Sequence, residues 1–161
     1  MKTNTSAFRI KSNRLSSWDY RNSSLYFVTF VTRQKICWFG YIKEEKMFLS
    51  NLGQIVERLI RHTQKHYQVV EITHYVVMPN HIHAIIQIKS NTFNDRKPSL
   101  GNVIGSMKSA ITRKAHECGL KNFAWQSRYF DRIIRDEREL ENFSSYILAN
   151  PINWNKDDYY L

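Results

Sequence analysis

The sequence predicts one α+β domain, an antiparallel sheet with helices packed on one face and an additional C-terminal helix. Three observations predict it. Aromatic and β-branched segments alternate with segments whose apolar residues recur at helical spacing. Two of the strand-like segments stand back to back across a Pro-Asn pair, which favours a hairpin. No repeat and no apolar run near the roughly 18 residues needed to span a bilayer breaks the pattern. With 161 residues, 42% of them hydrophobic and 14% aromatic, the chain can fill one core.

Residues 1–24 are a basic arm, with Lys2, Arg9, Lys11, Arg14 and Arg21 against Asp19 among many Ser, Thr and Asn, too polar to pack a core. Residues 25–161 form the domain. It opens with "LYFVTFVT" (25–32), aromatic and β-branched, a first strand. From Ser50 to about His66, Leu52, Ile55, Val56, Leu59 and Ile60 share one side and Arg58, Arg61, His62 and Lys65 the other, an amphipathic helix. "VVEITHYVVM" (69–78) stops at Pro79-Asn80, and "HIHAIIQI" follows as its hairpin partner. The polar stretch 89–98 is a loop. Ser99 then caps a second helix with Leu100, Val103, Ile104, Met107 and Ile111 inward, Lys108, Arg113 and Lys114 outward, and Gly119 at its end. "FAWQSRYFDRIIR" (123–135) is a last strand, and Asp136 to Asn150 a helix halted by Pro151. The order strand, helix, strand, strand, helix, strand is that of the split β-α-β of ferredoxin-like domains.

Twenty-four Lys and Arg against fourteen Asp and Glu leave a formal charge of +10, which favours a polyanionic partner such as nucleic acid. Cys37 and Cys118 stand far apart and in no C-x-x-C pair, which excludes a disulfide scaffold and a cysteine zinc site and suits a reducing cytoplasm. The start lacks the hydrophobic centre of a secretory signal, so a soluble cytoplasmic protein is expected, nucleoid-associated if its partner is DNA.

The stretch "MPNHIHAIIQI" (78–88) carries the chemistry. Strand residues two apart share a face, so His81 and His83 point together while Ile82, Ala84, Ile86 and Ile88 point the other way. The apolar side belongs against helices and the histidines on the more open face. Two imidazoles so placed can converge on one metal ion or phosphate, or serve as unrelated surface histidines. A histidine-triad hydrolase needs a third alternating His where Ile85 stands, and two-histidine phosphodiesterases need paired H-x-[ST] motifs, so both are excluded.

A metal on two histidines still lacks a nucleophile and a further ligand. In the C-terminal helix, at 100° per residue, Leu140, Phe143, Ile147 and Leu148 make the core-facing arc, and Tyr146 and Asn150 sit one turn apart on its shoulder. From that helix alone Tyr146 reads first as a boundary aromatic and Asn150 as a helix end. Beside the H-x-H they become candidates for a joint role. Tyr129 in "WQSRYFD" is the rival nucleophile, ranked lower because no ligand-type residue stands one turn away. His74 and His116 have no partner in the sequence and read as structural or surface residues. Trp18, Tyr20, Trp38 and Trp125 are candidates for base stacking.

The blocks "YVVMPNHIHAII" and "WQSRYFDRIIRDERELENFSSYILANPINW", with "RLSSWDYRNSSLYFVTFVT" near the start, resemble the REP-associated tyrosine transposases of the HUH single-strand nuclease superfamily, with an insertion-sequence-200-like transposase domain. The resemblance implies a ferredoxin-like fold, a divalent cation (Mg²⁺ or Mn²⁺) on His81 and His83, Tyr146 as nucleophile toward single-stranded DNA, and Asn150 as third ligand where related transposases often carry Gln. It implies cleavage and rejoining at hairpin-forming repeats through a covalent 5′-phosphotyrosine. Arg9, Lys11, Arg14, Arg21, Lys108, Arg113 and Lys114 are candidates to contact the nucleic acid. Related transposases include monomers and homodimers that exchange tyrosine helices. The alternative is a domesticated protein that binds DNA or RNA hairpins without cutting.

Overall fold

The computed structural model describes residues 19, 24–89 and 98–160. Most of the basic arm and most of the 89–98 loop, including Arg9, Lys11, Arg14, Trp18, Tyr20 and Arg21, lie outside them. The elements run β1 (Ser24–Val31), β2 (Gly40–Lys43), β3 (Lys46–Leu49), α1 (Asn51–His66), β4 (Val70–Val77), β5 (His81–Ile88), α2 (Leu100–Glu117), β6 (Phe130–Ile134) and α3 (Glu137–Ala149).

The main sheet has the order β4-β5-β1-β6 and is antiparallel at every pairing, the ferredoxin-like arrangement. Each helix starts where a short polar side chain accepts a backbone N–H: Ser50 from Gly53, Ser99 from Asn102, Asp136 from Glu139. Gly119, at φ +88, turns the chain after α2.

Alternation along the strands divides the core in two. Tyr26, Val28, Phe30, Ile82, Ala84, Ile86 and Ile88 pack with α1 and α2 on one face. Phe27, Ile85 and Ile134 pack with Ile147, Leu140 and Phe143 of α3 on the other. α3 therefore covers the face that carries His81 and His83.

Four expectations change. The histidine face is not open: His81 is 0% and His83 2% exposed, roofed by α3 and the segment after it. Leu148 belongs to no core-facing arc. It is 72% exposed, because one residue past Ile147 lies 100° round the helix. The last strand covers only Phe130–Ile134. Residues 123–129 instead form a loop that sinks Phe123 into the core and bridges Trp125 to Thr32. Finally, β2 and β3 form a hairpin between β1 and α1 that the sequence does not announce, turning at Glu44 and Glu45, both at positive φ.

Candidate metal and tyrosine site

β5 begins at His81, so the H-x-H pair sits at the end of a central strand, with β1 on one side and β4 on the other. His83 lies opposite Thr29 of β1, whose hydroxyl is 2.7 Å from His83 Nδ1. His81 Nδ1 is 2.9 Å from Asn80 Oδ1. The Asn80 amide nitrogen donates to the carbonyls of Lys35 (2.9 Å) and Tyr159 (2.8 Å), so its oxygen is the acceptor toward the ring. Nδ1 of His81 therefore carries the proton and Nε2 keeps its lone pair.

Burial, reinforced by neighbouring His83, holds His81 well below the usual imidazole range, and burial alone pushes His83 down to about 3. Both rings are neutral near pH 7, the form that ligates a metal.

The segment after α3 supplies a residue that the sequence reading missed. Asp157 places a carboxylate oxygen 3.9 Å from His81 Nε2, and one ligand atom each from His81, His83 and Asp157 lie within 4.8 Å of one another. The only advance signal for Asp157 was an acid shortly after the Asn150-Pro151 helix stop. Asn150, at the C-cap of α3 and 2% exposed, donates its amide N–H to Asp157 at 3.3 Å. Among the described residues two buried atoms here, His81 Nε2 and Asn150 Oδ1, have no hydrogen-bond partner. Orphaned acceptors beside a carboxylate are what a cation would satisfy. Two imidazoles, a carboxylate and an amide oxygen fit a divalent ion of borderline character.

Tyr146 projects from the same helix one turn before Asn150. Its hydroxyl is 3.5 Å from His83 Nε2, and its ring meets those of His83 and Phe27 edge-on. Burial raises its pKa, the Asp157 charge pushes the same way, and the Asn150 amide opposes them. At neutral pH the group is a phenol. A cavity of about 410 Å³, lined in part by Thr29, His83, Phe130, Asn142, Tyr146 and Tyr159, opens onto it. Tyr159, a second residue unanticipated from the sequence, packs its ring against that of His81, centroids 4.7 Å apart and tilted by 47°, and, mainly through burial, has its hydroxyl pushed up to about 12.

The structure thus gathers His81, His83, Tyr146 and Asn150, and adds Asp157, Tyr159, Asn80 and Thr29. Tyr129 stands apart, packed into the α1/α2 side of the core. Trp38 and Trp125 are core-packing aromatics, each against Phe123. His116 sits by the Phe123 carbonyl and His74 by the Thr73 hydroxyl, both away from the site. Lys108, Arg113 and Lys114 lie on α2, across the sheet. Lys108 is half-buried, and Lys114 is ion-paired to Glu117. No described helix is long and apolar enough to cross a membrane.

The IS200-like transposase family matches residues 35–150, from just after β1 to Asn150. An uncharacterized protein of Haemophilus influenzae is 30% identical over 99% of this chain and 98% of its own. The REP-associated tyrosine transposase of Escherichia coli K12 is 32% identical over 51% of this chain and 44% of its own. The solved structure of a REP-associated tyrosine transposase bound to a REP hairpin has the same fold, with a TM-score of 0.58 at 23% identity over 90% of this chain and 74% of that one. With the antiparallel sheet, the paired histidines and the adjacent helix tyrosine, the match over residues 35–150 makes the chain a member of the IS200-like transposase family.

Proposed function

We propose that the protein cleaves and rejoins single-stranded DNA at hairpin-forming repeats, with Tyr146 as nucleophile and a divalent cation held by His81, His83, Asp157 and Asn150. The observation that carries this reading is the Tyr146 hydroxyl 3.5 Å from His83 Nε2, at a cluster whose lone pairs converge. Mn²⁺ suits two imidazoles with two oxygen donors at least as well as Mg²⁺, which prefers an all-oxygen shell. Bound there, the cation polarises the scissile phosphate and offsets the charge gained in the transition state.

The protein's own groups do the rest. Asn80 and Thr29 fix the imidazoles, and Phe27 holds the Tyr146 ring edge-on, so the hydroxyl meets a phosphate entering the cavity with little freedom left to lose. Its oxygen bonds to phosphorus as the bond to the 3′ oxygen breaks. The phenolic proton leaves through the cavity, and the departing oxygen is protonated to a 3′-OH. One phosphodiester replaces another, so a second 3′-OH can reverse the step and join strands.

The buried histidines favour a second reading. With Tyr159 packed against His81 and both histidines buried, a protein in which Tyr159 keeps a phosphate from His81 would bind hairpins without cutting. Incubation with Mn²⁺ and labelled hairpin oligonucleotides separates the two. Denaturation-resistant adducts in the wild type and the Tyr159→Phe variant, lost in Tyr146→Phe, support cleavage. Hairpin binding without adducts supports the second reading, and adducts lost only in Tyr129→Phe overturn the choice of nucleophile.

A further inference from the structure

On the far side of the sheet from the histidines, the outer face of α2 and the 118–126 loop enclose a groove of about 620 Å³, lined by Lys108, Arg113, His116, Lys121 and Trp125 among others. Arg113 and Lys121 are exposed, whereas the one acid in the lining, Glu117, is ion-paired to Lys114. Arg113 also borders a neighbouring cavity with His62 and His66.

The groove connects directly to the catalytic end of the sheet. His81 pairs with Val31 across β5 and β1, the Val31 carbonyl accepts the Gln126 N–H at 2.9 Å, and the Gln126 carbonyl accepts Lys108 Nζ at 2.7 Å.

Trp125 decides what the groove can hold. Its N–H donates to the Lys108 carbonyl, its ring packs on Phe30, Phe39 and Phe123, and Lys108 Nζ lies 5.7 Å from the ring centroid. With its N–H spent internally and Lys108 Nζ over its ring, Trp125 does not offer the free face by which proteins grip single strands. What the groove offers is fixed positive charge, which suits regularly spaced phosphates.

Resting on the hairpin substrate proposed above, we infer that this groove seats the sugar–phosphate backbone of the hairpin's duplex stem, read by charge and not by sequence, while the single-stranded flank turns round the end of the sheet to Tyr146.

The test measures equilibrium binding by anisotropy in a Tyr146→Phe background, where no covalent product forms. The probes are a hairpin oligonucleotide with a single-stranded flank and the same flank without a stem, each over a range of salt. Arg113→Glu/Lys121→Glu should weaken the hairpin at least tenfold near 0.1 M salt. Arg113→Ala/Lys121→Ala should flatten its log–log salt slope by about 1.8, that is about 0.9 for each duplex phosphate left without its cationic side chain, and leave the stemless flank unchanged. Unchanged hairpin affinity and slope in both variants, or equal weakening of the stemless flank, overturns the inference. Because the readout is binding, it stands apart from cleavage: absence of wild-type adducts would sink the proposed activity and leave this result intact.

Discussion

The Asn150 side chain donates to the Asp157 carboxylate at 3.3 Å, tying the last turn of α3 to the segment that folds back over His81. That bond leaves the Asn150 side-chain oxygen without a partner and holds Asp157 Oδ2 3.9 Å from His81 Nε2, while Oδ1 accepts the Tyr159 N–H. If both ligate, Asp157→Ala should weaken Mn²⁺ binding, measured by calorimetry, by more than about tenfold, since ligand charge is a principal determinant of cation affinity. Asn150→Ala should weaken it less, and chelation should abolish adduct formation. Equal Mn²⁺ affinity in Asp157→Ala and wild type would remove Asp157 from the ligand set.

Asn80 holds three groups together: the His81 ring and the carbonyls of Lys35 and Tyr159. Asn80→Ala should therefore cost about 2–4 kcal/mol in urea unfolding, because buried groups lose their partners. It should also lower Mn²⁺ affinity by about 10- to 100-fold, as loss of an outer-shell partner to a metal-ligating histidine does. Lost stability with unchanged metal affinity would show that Asn80 serves the fold alone.

Acid should destabilise the metal-free protein through His83. Its folded pKa is about 3 against 6.5 when free, so the unfolded chain takes up a proton first as pH falls. The stability its burial contributes is complete above about 6.5 and is lost progressively toward 3. Urea midpoints should fall across that window, and His83→Gln should flatten the decline between pH 6.5 and 5, above the range where most carboxylates titrate.

Gly53 and Gly105 should respond oppositely to Ala. A Cβ on Gly53 would lie 2.1 Å from the Phe39 carbonyl oxygen, so Gly53→Ala should cost about 1–3 kcal/mol or more. Gly105 is exposed within α2 with nothing within 4 Å, so Gly105→Ala should stabilise by about 0.5–1 kcal/mol. Thermal melts of both variants measure this.

Where local chemistry specifies structure, the sequence was legible. Ser50, Ser99 and Asp136 mark helix starts that the structure keeps, and alternation along 81–88 separates the histidines from Ile82, Ala84, Ile86 and Ile88 as expected. The β2–β3 hairpin was hidden because its turn uses Glu44 and Glu45 at positive φ, where Asn or Gly would have signalled it. Leu148 and Ile147 are both apolar, but 100° of helix rotation puts only Ile147 in the core. Asp157 and Tyr159 were invisible for another reason. They follow Pro151 on no periodic element, and only the return of the chain over β5, pinned by Asn80 and by Lys35 Nζ on the Asp158 carbonyl, brings them to the histidines.

The alternation along β5 insulates one half of the molecule from the other. Isoleucines facing α1 and α2 touch the imidazoles only through the strand they share, so methylene-scale exchanges in that layer can accumulate over evolutionary drift without moving a ligand atom. The opposite layer has no such latitude. There Phe27 touches His83, Phe143 and Tyr146 at once, so reshaping its ring displaces the reacting groups themselves.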